Sequence, residues 1–124
     1  MIRGIVNRNL DAVVSLLVSG PASNSRIVEA VIDTGFNGQL ILVSELIQEL
    51  GLKRVGTNEG ILADGTKVDF EMFIATISWH GEDRAVAVLQ SDGGTLAGMS
   101  LLEGSRLAID VAENGPVIVE SLLS

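Results

Sequence analysis

A mostly β fold in a single domain is predicted by three features of the sequence. Apolar residues make up 47% of the 124 positions but aromatic ones only 3%, so the core has to be built from Val, Ile, Leu and Ala. β-Branched side chains of that kind suit a pleated, half-buried surface. The 14 glycines supply tight turns, and short apolar runs alternate with turn residues along the whole chain. A length of 124 fits one compact domain, residues 1–124, with no room for a second.

The elements follow in order. Leu10 to Val18 reads as a strand, and Ser19 to Ser25, with Pro21, as the loop after it. Arg26 to Ile32 is a second strand running into Asp33-Thr34-Gly35, and Leu40 to Val43 is a short buried one. Ser44 is positioned as a helix N-cap, with Glu45 in the first turn and Gly51 past the end. Leu46, Ile47 and Leu50 share one face of that helix.

Val55 to Leu62 and Lys67 to Phe73 flank Ala63-Asp64-Gly65-Thr66, and Asp-Gly between two such runs is a strong hairpin signal. A further hairpin joins Ile74–Trp79 to Arg84–Leu89 through the loop 80–83. Gln90 to Thr95 is a polar loop, and Leu96-Ala97-Gly98 opens into a helical turn, Met99 to Glu103. Leu107–Val111 and Val117–Glu120 close the chain as facing strands. The order strand, strand, apolar-apolar loop with Gly, helix occurs twice, which predicts an internally duplicated fold.

Charge excludes several functions. The net charge is −8 and the isoelectric point near 4.4. Nucleic acid and anionic membrane surfaces both require clustered Lys and Arg, so neither is an expected partner. Without cysteine there are no disulfides, thiolate metal sites or cysteine nucleophiles. No signal-like apolar stretch follows Met1, and the run Ala12–Val18 is too short to span a bilayer. A cytoplasmic location is the expectation.

The residues with chemical promise are few. His80, the only histidine, reads as a surface side chain beside Trp79. Glu82-Asp83 and the pair Glu45 and Glu49 lack metal-ligand spacing, so no metal or cofactor is expected. The glycines form neither a phosphate loop nor a dinucleotide fingerprint. Asp33-Thr34-Gly35 is different. Such a tripeptide arises by chance in about 2% of chains this long, but here Ala30-Val31-Ile32 delivers the Asp at the end of a buried strand. Gly35 then permits a sharp reversal.

Ala30 to Gly35 resembles the active-site loop of the retropepsins, the retroviral-type aspartic peptidases, and of their single-domain bacterial relatives. The likeness extends to Gly60-Ile61-Leu62-Ala63-Asp64-Gly65-Thr66, where that family has its flap. It includes Leu96 to Leu102, similar to the family's second hydrophobic-hydrophobic-Gly loop and helix. Roughly residues 10 to 111 are covered.

The resemblance implies a closed, Greek-key-type β barrel with a short helix per repeat and a flap hairpin, acting as a two-fold homodimer. It implies an aspartic endopeptidase acting on polypeptide. Peptide hydrolysis by this route uses two carboxylates about 3 Å apart that share a proton, because two like charges so close cannot both ionise. With no second Asp-Thr-Gly or Asp-Ser-Gly in the sequence, the partner carboxylate comes from a second copy. Asp92-Gly93-Gly94, the nearest approach, reads as a turn.

By the same resemblance Asp33, Thr34 and Gly35 form the catalytic loop, with the Thr34 hydroxyls locking the two loops together. The substrate-binding positions are Phe36, Asn37 and Gly38, with Leu62, Ala63, Asp64 and Gly65 of the flap. Interleaved terminal strands, Met1–Val6 and Val117–Leu123, would hold the dimer. Phe36 departs from the family, which has a small residue there. It either narrows the pocket toward small side chains or marks a catalytically silent module that binds peptides or only dimerises.

Overall fold

A computed structural model describes residues 1–61 and 64–123. Among the described residues ten strands form one sheet in the order β5-β6-β7-β4-β8-β3-β2-β1-β10-β9. In chain order these are β1 (Ile2–Val6), β2 (Ala12–Ser19), β3 (Ser25–Ile32), β4 (Leu40–Leu42), β5 (Lys53–Ile61), β6 (Lys67–Trp79), β7 (Glu82–Gln90), β8 (Leu96–Ala97), β9 (Ser105–Ile109) and β10 (Pro116–Ser121). The helices α1 (Ser44–Leu50) and α2 (Met99–Leu102) follow β4 and β8. An extra pairing of Val18 and Ser19 in β2 with Thr76 and Ile77 in β6 brings the strand path back on itself.

Period-two alternation decides which residues go inside. Ala12, Val14, Leu16 and Val18 of β2 are buried, and so are Val28, Ala30 and Ile32 of β3, while their neighbours face out. They meet Leu40 and Leu42 of β4, Ile77 of β6, Val86 and Val88 of β7, and Val117 and Val119 of β10 in one cluster. The core is aliphatic, as the composition requires, apart from Trp79. No buried polar residue occurs among the described residues.

The duplication takes the form of an exchange. Strand β3 of the first half pairs in parallel with β8 of the second, and β7 of the second with β4 of the first. Each half therefore completes the other's sheet, and each loop after β3 or β7 is brought to the other half's helix.

Several boundaries differ from the sequence expectation. Lys67–Phe73 and Ile74–Trp79 are one strand of thirteen residues, because no turn residue separates them. Its turn to β7 is only His80-Gly81, with φ of 52° and 81°, the left-handed pair that a tight two-residue hairpin needs. Ser44 is the first helical residue rather than the cap; Val43 is the cap and supplies no side-chain bond. Finally, β9 begins earlier and ends at Ile109.

The C-terminus of α1 does follow its signal. Gly51 has φ of 61°, its N–H donates to Gln48 O at 3.1 Å, and the Leu52 N–H donates to Ile47 O at 3.1 Å. That is a Schellman closure, completed by buried Leu52 beside buried Ile47. The chain termini are held in the sheet as well. β1 and β10 pair with each other inside one chain, and their other edges are taken by β2 and β9.

Candidate active site

Asp33 ends the buried strand β3. Its N–H donates to Ala97 O at 2.9 Å, one step beyond the 3.0 Å bond from Val31 N–H to Thr95 O. The β3–β8 ladder thus carries Asp33 at its tip, and alternation puts its side chain on the outward face that Val31 shares. There the chain reverses. The Phe36 N–H returns to Asp33 O at 3.2 Å, and the Gly35 N–H donates to Asp33 Oδ1 at 2.9 Å. This local side-chain bond is the device by which Asp holds a turn.

The loop is then fastened to the start of α2. Phe36 O accepts from the Met99 N–H at 2.8 Å, Gly38 O from the Ser100 N–H at 3.1 Å, and Gln39 O from the Gly98 N–H at 3.0 Å. The Ser100 hydroxyl donates to Asn37 O. Gly98 makes this possible: a Cβ there would lie 2.3 Å from Gly38 O and 2.7 Å from Phe36 O. Both are backbone atoms held by hydrogen bonds, so no side chain can be admitted. The apolar-apolar-Gly pattern in the sequence is explained by this close approach.

The other half repeats the arrangement with its own loop. The Ser91 N–H donates to Leu42 O at 3.1 Å. Asp92 Oδ1 accepts from the Ser44 N–H at 2.8 Å and the Ser44 hydroxyl at 2.9 Å. Asp92 thereby satisfies a free N–H at the start of α1, the service expected of Ser44. These bonds, first the backbone one and then the hydroxyl one, hold its carboxyl below the ordinary range. By this bond pattern Ser91 stands where Asp33 stands in the first half, and the neighbouring Asp92 carboxylate is engaged by α1.

Between the Asp33 loop and the β5–β6 hairpin lies a cleft of about 480 Å³. Gly35, Phe36, Asn37, Gly38, Ile41 and Leu89 line one side, and Asn58 to Ile61 with Phe70 the other. Asp33 adjoins it through Gly35. Thr34 is exposed. Asp64 and Gly65 are exposed near the hairpin tip, and Leu62 and Ala63 lie outside the described residues. At that tip Asp64 Oδ1 accepts from the Thr66 N–H at 2.8 Å. Thr66, through its side chain and then its backbone, holds the Asp64 carboxyl below the usual range.

Ile41, Asn58, Phe70 and Leu89 were not singled out from the sequence. Phe70 had a signal: Val68, Phe70 and Met72 alternate with charged neighbours, which marks one face of a strand. Ile41 and Leu89 had none, since a fully apolar run does not say which side chain meets a cleft.

His80 is half-buried rather than a surface residue, set edge-on to Trp79 and within 2.9 Å of Ser105 Oγ. It does not line the cleft but faces a separate depression with Trp79, Arg84 and Ser105. Among the described residues no group of three or more His, Asp or Glu is arranged to hold a metal, and no helix is long and apolar enough to cross a membrane.

No protein-family model matches the chain, and no curated protein does. Solved structures do. The chain resembles EIAV protease complexed with the inhibitor HBY-793, with a TM-score of 0.57 and 21% identity over 75% of this chain and 86% of that one. It also resembles a retropepsin-like aspartic protease from Rickettsia conorii, with a TM-score of 0.53 and 18% identity over 96% and 90% of the two chains. The fold is retropepsin-like.

Proposed function

We propose that the chain is an aspartic endopeptidase, a single domain over residues 1–124, that works as a two-fold homodimer. In this reading the returning strand path is the barrel and the β5–β6 hairpin is the flap. The observation that carries it is the setting of Asp33. One carboxylate stands at the end of a buried strand, in a hydrogen-bonded turn, beside a cleft roofed by a hairpin, in a retropepsin-like fold.

The mechanism follows from charge. Two Asp33 carboxylates meet across the dimer axis and share one proton. The ionised one takes a proton from water as that water attacks the scissile carbonyl. The protonated one donates to the carbonyl oxygen as negative charge develops there; the first then passes the water's proton to the amide nitrogen as the C–N bond breaks, while a hydroxyl proton of the collapsing diol returns to the second and restores the shared proton. Thr34, exposed beside Asp33, binds the two loops to each other. Asn37 can donate and accept at the substrate main chain. A hairpin that closes over the cleft excludes water from the reacting bond. No metal or cofactor takes part, and the substrate is unfolded polypeptide.

Phe36 raised the alternative of a silent module. Its ring is accommodated over Gly38 of its own loop and Gly98 at the start of α2, and the cleft beside it stays open, which favours the working enzyme. Incubation with a denatured polypeptide at mildly acid pH gives the test. Fragments should appear with the native protein, and Asp33→Asn should lower the rate by at least about 10²–10⁴-fold, the usual contribution of a general acid or base. Equal cleavage by the variant would refute the mechanism. Equal peptide binding by both proteins without turnover at any pH would establish the silent module.

A further inference from the structure

The chain has only three Phe residues, and two of them, Phe36 and Phe70, face each other's side of the same cleft. Both are laid over glycine. A Cβ on Gly38 would fall 2.4 Å from Phe36 Cζ, and one on Gly98 would fall 2.5 Å from Phe36 Cδ2. Across the cleft, a Cβ on Gly60 would fall 2.6 Å from Phe70 Cε2. The absence of side chains at these glycines is what lets the rings lie back against the backbone.

We propose that Phe36 and Phe70 are opposed walls that set the size of the side chain the cleft admits, and that Gly38 and Gly60 are specificity positions acting through those rings. The inference rests on the reading of the cleft as a polypeptide site. It names what is bound there: an extended segment presenting a compact aliphatic side chain, Ala or Val, between the two rings. Ile41 and Leu89, on the Phe36 side, add aliphatic lining to the cleft. A large aromatic side chain would have to displace a ring that cannot retreat, since backbone lies behind it. The glycines matter in the opposite sense. A methyl group at Gly38 pushes the Phe36 ring forward and narrows the cleft further.

Binding separates these effects from catalysis. Asp33→Asn protein is titrated with labelled decapeptides in which one Ala, Val or Phe is scanned through every position. At the position that enters the cleft, Val should bind on the order of tenfold more tightly than Phe, the scale of discrimination by pocket size. Phe36→Ala, made in the same background, should abolish or reverse that preference. Gly38→Ala should weaken Val binding while Phe36 is present and have no effect on it once Phe36 is Ala. This dependence is one that a mere loss of stability would not produce.

Peptides that bind with the same Val-over-Phe order in the Phe36→Ala protein overturn the size rule and leave the peptidase reading intact. Binding without any preference in the starting protein does the same. If no peptide binds any of the proteins, the polypeptide reading falls and this inference with it.

Discussion

His80 and Asp92 are single residues whose surroundings couple folding to pH in the same direction through different chemistry. Burial, then the N-terminal amino group and Arg84, hold His80 below its ordinary value of 6.5. Its Nδ1 is buried without a hydrogen-bond partner among the described residues, so the fold favours the neutral ring. The unfolded chain then binds the proton first. This contribution to stability is fully present above about 6.5 and is lost as pH falls from there toward the lower folded value. Asp92, also depressed, acts lower, losing its contribution as pH drops through its folded value. His80→Asn isolates the histidine, because Asn tolerates the positive φ that the turn requires. Urea titrations at pH 7.0 and 5.5 should show native stability declining between the two while the variant changes less. An equal decline in both proteins would assign the effect to other groups.

Element by element, the pattern of burial was legible and the partners of the ends were not. Alternation in β2 and β3, the Gly51 stop of α1 and the hairpin around Asp64-Gly65 are local facts, set by residues next to one another. Ser44 reads locally as a cap because the acceptor that its N–H uses, Asp92, lies 48 positions away. The same blindness hid Arg84, whose guanidinium donates to Leu101 O at 3.2 Å and Ser100 O at 3.3 Å. Those are free carbonyls at the end of a helix of four residues, too short to hold itself. Since α2 anchors the Phe36–Gly38 segment, Arg84 supports the candidate site from behind. Arg84→Met keeps most of the stem but loses the bonds, and should cost about 1–3 kcal/mol in denaturant unfolding. Unfolding free energies that agree within about 0.5 kcal/mol would mean α2 holds without it.

At the scale of the whole molecule the question is where a second copy would sit. The sequence resemblance pointed to the terminal strands, but β1 and β10 have both edges occupied within one chain. Proximity of two Asp33 carboxylates requires approach on the face from which Asp33 projects. That face carries a cross-strand row of paired residues, Pro116, Ile5, Val13, Val31 and Leu96. Ile5 is 47% exposed within it, and Val31 stands two positions before Asp33. In the proposed dimer this row meets its copy. Each chain carries −8, so association should tighten as salt screens the repulsion. Ile5→Glu should weaken it by roughly 30-fold or more, the scale of an interface hot spot, because two-fold symmetry introduces the charge twice. The side chain is exposed in the single chain, so the variant should fold normally. Ile27→Glu supplies the control: it lies on the same sheet and is more exposed, at 75%, but sits four positions farther from Asp33 along β3 than Val31. Sedimentation at two salt concentrations should find native protein and Ile27→Glu dimeric, and Ile5→Glu largely monomeric and without peptidase activity. Dimers of unchanged strength in Ile5→Glu would move the interface off this row, and a monomer at every salt concentration in the native protein would remove the two-carboxylate mechanism altogether.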